Sequence, residues 1–424
     1  EEGKDDLIES HDMKSDDKGV WEVKVDGDLN GTYYTYTADF GDTQNEACDP
    51  YAKTVGVNGD RAMVIDMDST NPAGWDNDKN PNKNLKNTDV SIYELHVRDL
   101  SSDASSGIKN TGKYLGLTET GTTNSKGQST GLDHIKKLGI THIQLNPVYD
   151  YATVDETKLD TNQFNWGYDP KNYNSPEGSY STDPYNGDVR VKEFKEMVKT
   201  LHDNDISVVM DVVYNHTYST DYCYNKLVPD YFYRPGSNGS GCGNDVASER
   251  AMVRNFIVDS VAYWAKEYHI DGFRFDLVGL IDVQTVKEIR AALDEIDPSI
   301  IIYGEGWSMT TTTTKEGTAL STQTNAVNLG NFGMFNDTIR DAIKGNVFKA
   351  EEKGYVNGDT GKASTIKNSI QGKVAWSSLP YQQINYSCCH DNLTIWDEIN
   401  TSNADDSMED KVKQNLMSAA IVYT

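Results

Sequence analysis

The sequence predicts an α/β chain built on a (β/α)8 (TIM) barrel, with a small β-rich domain in front of it. Three observations carry that expectation. From residue 90 onward, apolar runs of strand length alternate with helical segments at the spacing of βα units. The strands are nearly continuous in apolar residues, as in a parallel sheet whose outer face is covered by helices. Each strand also gives way to a polar cluster, as at the C-terminal face of a barrel, where chemistry collects. A doubly wound open sheet would place ligands at strand ends too, but no glycine-rich phosphate loop follows the first strand.

Residues 1–18 are charged and poor in apolar side chains, which predicts a flexible acidic N-terminus. Residues 19–70 read as part of a β-sandwich: VWEVKV alternates with period two, and TYYTYTADF follows the turn GDLNG. Residues 71–89, rich in Asn, Asp, Pro and Lys, read as a linker. In the barrel region, 90–424, SIYELHVRDL (91–100) reads as a strand, GLDHIKKLGI (131–140) as a helix ending at Gly139, and THIQLNPVYD as a strand. The next helix, VKEFKEMVKTLHDNDI, lines up Val191, Phe194, Met197, Val198 and Leu201 on one face. SVVMDVVYNH, DGFRFDLVG and SIIIYGEGW follow as strands, separated by helices over RAMVRNFIVDSVAYWAKEYHI and VQTVKEIRAALDEIDP.

The chain has 424 residues and a formal charge of −27, from 39 basic and 66 acidic groups. That balance argues against nucleic acid and against anionic membranes, because a polyanion is repelled rather than releasing its counterions to the protein. Neutral polymers and cations remain as partners. The 25 tyrosines and 7 tryptophans suit stacking on sugar rings as well as core packing. No stretch approaches the ~20 apolar residues needed to span a bilayer. The acidic start EEGKDDLIES shows no secretory signal and no initiator Met, which suggests a processed chain or a fragment. Surface aromatic and Asn content favours an extracellular or cell-surface location over the cytoplasm. Five cysteines (48, 223, 242, 388, 389) allow at most two disulfides and show no CxxC spacing, so the redox compartment stays open.

DGFRFDLVG (271–279) carries the chemistry. Arg274 and Asp276 stand two apart in an otherwise apolar strand, so both point to one face. A guanidinium there is expected to hold Asp276 ionised, the state a carboxylate nucleophile needs. Glu305, between two glycines in YGEGW, and Asp391, in SCCHDN, sit at neighbouring strand ends. Two carboxylates about 5–5.5 Å apart with pKa values pushed apart are what retaining glycoside hydrolysis requires. His216 and His390 are too far apart for a helical metal motif; they are either structural or donors to sugar hydroxyls. Asp211 is either a partner for Arg274 or a substrate contact.

Together DVVYNH (211–216), GFRFD (272–276), GEGW (304–307) and HDN (390–392), in that order, resemble the α-amylase superfamily, glycoside hydrolase family 13. Within it, FNWGYDP (164–170), GFRFDLVG, YGEGW and SGCGN (240–244) resemble the type I pullulanases. The resemblance implies Asp276 as nucleophile, Glu305 as general acid/base and Asp391 as transition-state stabiliser. It implies Arg274, His216 and His390 in the same subsite, Tyr168 as its stacking platform and Trp307 stacking on a neighbouring glucose, with Asp169 and Asn392 also among the substrate-binding positions and Asp211 as structural support. The implied reaction is hydrolysis of α-1,6-glucosidic bonds in pullulan, amylopectin or limit dextrins. The alternatives are an enzyme that also cuts α-1,4 bonds and a non-catalytic starch-binding component.

The β-rich segment resembles part of a family 48 carbohydrate-binding module. No cofactor is expected to be required, but many α-amylases bind calcium through the asparagine matching Asn215, which makes it the candidate metal ligand. Phe164 and Cys388 replace the usual tyrosine and serine; cysteine is common at 242 and 389, so neither implies a disulfide. The sequence stops where a seventh barrel helix would end. Without the family's eighth strand and C-terminal β-domain, the barrel is expected to be truncated and completed by a missing segment or a second chain.

Overall fold

The strand-forming runs after residue 90 assemble into one parallel sheet, seen in a computed structural model that describes residues 8–423. Residues 1–7, part of the expected flexible N-terminus, and Thr424 lie outside the described residues. The strands are β1 (Ile92–Leu95), β2 (His142–Leu145), β3 (Ser207–Val212), β4 (Gly272–Phe275), β5 (Ile301–Gly304), β6 (Gly333–Phe335) and β7 (Gln383–Ile384). They stand in chain order with every neighbouring pair parallel, as a barrel requires. Among the described residues no eighth strand joins β7 to β1.

Period two divides each strand between two cores. Leu95, Ile143, Leu145, Val208, Met210, Val212, Phe273, Phe275 and Ile302 face the helices in the main hydrophobic core. Val209, Tyr303 and Phe335, with Ile92, Ile301 and Ile384 against them, fill a separate cluster inside the sheet's curve. Arg274 pairs in register with Asp211 on β3 and Tyr303 on β5, so it projects into that interior.

Helices α1 (Gly131–Leu138), α2 (Gly187–His202), α3 (Ala251–Glu267) and α4 (Val283–Ile296) cover the outer face. α1 ends at Gly139, whose left-handed φ of 69° closes the last turn at the expected position. α2 begins at Gly187, ahead of the expected apolar run, and the five residues of its expected face are fully buried. α5 (Asp337–Lys344), α6 (Ala363–Ile370), α7 (Ile395–Ser402) and α8 (Met408–Tyr423) follow, with Ile339, Ile343, Val356 and Ile366 in a smaller core.

Among the described residues the N-terminal region forms three two-stranded antiparallel pairs: Lys14–Ser15 with Trp21–Glu22, Tyr33–Tyr34 with Ala62–Met63, and Tyr36–Asp39 with Gln44–Ala47. Trp21 and Val23, on one side of the alternating run, are 63% and 44% exposed, so this period-two pattern marks no buried face. Segment 71–89 connects the two parts and is fastened to the barrel wall. Trp75 is buried and stacks on His269 at 4.0 Å, and Asp78 bridges His202 (2.7 Å) and His269 (2.9 Å). The second ring nitrogen of His202 reaches Asp271 at 2.8 Å, just ahead of β4.

Candidate active site

Alternation along β4 carries Arg274 inward, and Asp276 follows one step beyond the strand's last residue. The guanidinium organises what surrounds it. Arg274 Nη1 lies 3.0 Å from both Asp211 Oδ1 and Asp276 Oδ1, while Nη2 lies 2.8 Å from Glu305 Oε1. Three carboxylates from the ends of β3, β4 and β5 therefore converge on one buried cation. Desolvating Arg274 opposes its charge, but Asp211 and Glu305 outweigh that and hold it firmly protonated.

Asp211 is completely buried, and its other oxygen accepts from Tyr168 OH at 2.7 Å. Both oxygens are thus engaged by protein, which places Asp211 as support for Arg274 and Tyr168. Burial raises its pKa to about 7 against the pull of Arg274. Asp276 Oδ2 accepts from Asn215 Nδ2 at 2.7 Å, and the same amide donates to the Asp276 carbonyl at 2.9 Å. Side chain and backbone of Asp276 are fixed together.

Glu305 lies at the C-terminal end of β5 and is nearly buried. Burial raises its pKa, the charges of Asp276 and Asp391 push the same way, and Arg274 and a backbone N–H oppose them. That N–H belongs to Leu277, which donates to Glu305 Oε2 at 3.1 Å. Leu277 has a left-handed φ of 39°, uncommon for a branched residue, and the strained turn swings its N–H towards the carboxylate. The flanking glycines answer a packing demand. A Cβ at 304 would meet Phe275 O at 2.4 Å, and one at 306 would meet Met334 Sδ at 2.6 Å. They let β5 approach β4 and β6, rather than merely clearing room beside Glu305.

Asp391 has a half-exposed side chain, 3.6 Å from His390 Nε2. His390 stacks on Tyr168 (4.8 Å between centroids) and meets the edge of Trp166 at 5.1 Å. His216 approaches the Tyr168 carbonyl through Nε2 at 2.9 Å and Asn215 Oδ1 through Nδ1 at 2.6 Å. Burial works against charge on His216, but the neighbouring Cys242 thiol offsets this and raises its pKa; the same proximity lowers that of Cys242. All five cysteines are free thiols. Trp307 packs on the interior cluster, with the Arg340 guanidinium 5.9 Å from its ring. Asn392 is exposed with a left-handed φ of 62°.

Asp169 stands apart. Its carboxylate accepts from Thr153 and Asn165, which ties the 164–170 loop to its neighbour. Glu94 and Gln144, which the sequence reading passed over, join the cluster through His390. The signal was present: Glu94 is a charge at an inward position of an apolar strand, as Arg274 is.

Asn215 does not fit a calcium site. Its amide oxygen faces His216 and its nitrogen serves Asp276, so it presents no oxygen to a cation. Among the described residues, the group with metal-ligand spacing is Asp150, Glu156 and Glu177, whose carboxylate oxygens come within 4.8 Å of one another. Arg190 already reaches Asp150 (3.3 Å) and Glu156 (3.0 Å), and Glu177 accepts from the backbone of Tyr151 and Ser179.

The family described as alpha amylase, catalytic domain, matches residues 117–234, and carbohydrate-binding module 48 (isoamylase N-terminal domain) matches residues 3–52. A pullulanase of Bacillus subtilis (strain 168) is 41% identical over 419 residues, covering 96% of this chain and 57% of its own length. The chain thus spans little more than half of that relative. The crystal structure of a Paenibacillus barengoltzii pullulanase in complex with maltohexaose and α-cyclodextrin superposes with a TM-score of 0.96 at 47% identity, over 99% of this chain and 67% of that one. A pullulanase from Anoxybacillus sp. LM18-11, complexed with maltotetraose, gives 0.91 at 42% identity over 97% of this chain and 60% of that one.

Proposed function

Because the chain belongs to the pullulanases of the α-amylase superfamily, we propose that it is a starch-debranching glycoside hydrolase acting on α-1,6-glucosidic bonds with retention of configuration. The observation that carries this reading is the seating of Asp276 and Glu305 on the two terminal nitrogens of one guanidinium, with burial raising the pKa of Glu305. In the proposed mechanism Asp276 attacks the anomeric carbon while Glu305 protonates the departing oxygen. Glu305 then takes a proton from the water that releases the glucosyl unit. Asp391 stabilises the distorted ring through its hydroxyls, Tyr168 stacks beneath it, and His216, Arg274 and His390 border the same unit. Trp307 stacks on the next glucose.

The maltooligosaccharides bound by the Paenibacillus and Anoxybacillus proteins support α-glucan as the ligand class, with pullulan, amylopectin and limit dextrins as substrates. An extracellular or cell-surface setting suits polymers of that size. Reducing sugar released from pullulan but not from amylose is the expected result. Hydrolysis of amylose would replace this reading with a mixed-specificity one, and binding without product would replace it with a starch-binding role.

A further inference from the structure

An ion pair outside the three-carboxylate scheme ties the two edges of the sheet across the cleft. Glu94 lies on β1 and His390 follows β7, and His390 Nδ1 stands 2.8 Å from Glu94 Oε1. The same oxygen accepts from Gln144 Nε2 at 3.0 Å, and Gln144 Oε1 accepts from Tyr303 OH at 2.6 Å. Glu94 and Gln144 are register partners on β1 and β2, so the barrel interior braces the carboxylate from below.

With Nδ1 directed at Glu94, the other ring nitrogen is left for the cleft. Nε2 lies 3.6 Å from Asp391 Oδ1, too long for a hydrogen bond. The ring faces Glu94 from β1, Asp211 from β3, Arg274 from β4, Asp391 from its own loop, Tyr168 from the 164–170 loop and His96 beyond β1. Burial opposes charge on the imidazole; Glu94 outweighs it, Asp211 adds to Glu94, Arg274 works against both, and the ring's pKa is raised.

Resting on the hydrolase reading above, we propose that Glu94 is a positioning residue: by accepting from His390 Nδ1–H it fixes the tilt of the doubly protonated ring, whose Nε2–H then points towards a hydroxyl of the glucosyl unit held between Asp276 and Glu305. Glu94 touches no substrate in this assignment and acts only through His390.

The test compares Glu94→Gln, His390→Gln and the double variant. It uses maltotriose affinity by calorimetry, the His390 titration by NMR and the pH profile of pullulan hydrolysis. Glu94→Gln is expected to lower the His390 midpoint, weaken maltotriose roughly ten- to hundredfold and move the alkaline limb of kcat/KM to lower pH. The double variant should bind no worse than His390→Gln alone, because the two residues act as one unit. Additive losses, an unmoved His390 titration or an unchanged maltotriose affinity would each overturn the assignment. If Glu94→Gln does not fold, the wild-type ring decides: a midpoint above the ordinary 6.5 supports the assignment, and one at or below it overturns it. A wild-type chain that binds maltotriose but hydrolyses nothing sinks the hydrolase reading alone and leaves the binding comparison to judge Glu94. A chain that binds no maltotriose sinks both.

Discussion

Arg274 Nη2 stands 2.8 Å from Glu305 Oε1, yet Glu305 has a raised pKa. The contact does not make this an ordinary salt bridge. Burial removes the water that would stabilise a carboxylate, and Asp276 occupies the other end of the same guanidinium. One cation shared among Asp211, Asp276 and Glu305 cannot neutralise all three, and the unscreened charge of Asp276 adds to the upward push on Glu305.

If Glu305 supplies that proton, Glu305→Gln should lower pullulan hydrolysis by about 10²–10⁴-fold. Activity on an α-maltosyl fluoride should survive, because fluoride leaves without protonation. Equal losses on both substrates would assign Glu305 a different role.

Asp276→Asn removes a charge at nearly constant volume and keeps a polar group beside Asn215 and Arg274. Activity on pullulan should fall by several orders of magnitude while the thermal unfolding transition remains cooperative. A variant that fails to fold would give Asp276 mainly a structural part, as a counter-charge to Arg274.

Asp211 is fully buried and anchors both Arg274 and Tyr168. Asp211→Ala should cost about 3–5 kcal/mol of stability, the usual penalty for leaving a buried ion without its partner. Denaturant unfolding of the variant checks this; a loss below about 1 kcal/mol would place the support of Arg274 on the other two carboxylates.

His202, between Asp78 and Asp271, has its pKa raised to about 9: burial opposes its charge, but the two carboxylates outweigh burial. A raised folded-state pKa gives stability that is fully present below pH 6.5 and lost as pH rises through about 9. The contribution is on the order of 3 kcal/mol. Melting temperature should fall across that window, and His202→Asn should flatten the fall.

Arg190 already supplies positive charge to the Asp150, Glu156 and Glu177 group. Treatment with a chelator should therefore leave the melting temperature unchanged. A drop that calcium restores, and that Asp150→Asn abolishes, would show that a cation shares the group with Arg190.

The central βα units were legible because their strands are long enough to show an apolar run, as in SVVMDVVYNH, and because Arg274 breaks such a run with a charge. β6 and β7 were not, since three and two residues carry no periodicity. Segment 71–89 has a linker's composition, and only folding shows Trp75 against His269 and Asp78 between two histidines.

The one-dimensional pattern settled which side of β4 receives Arg274 and Asp276, because alternation along a strand is a local property of the backbone. It could not settle the partners brought from afar. Asp169 and Asp211 look equally available in the sequence, yet Asp169 is tied to Thr153 and Asn165 while Asp211 lies in register with Arg274. The meeting of Glu94 with His390, 296 residues apart, likewise exists only once the sheet has curved. Burial and shared charge depend on that closure, and so does the raised pKa of Glu305.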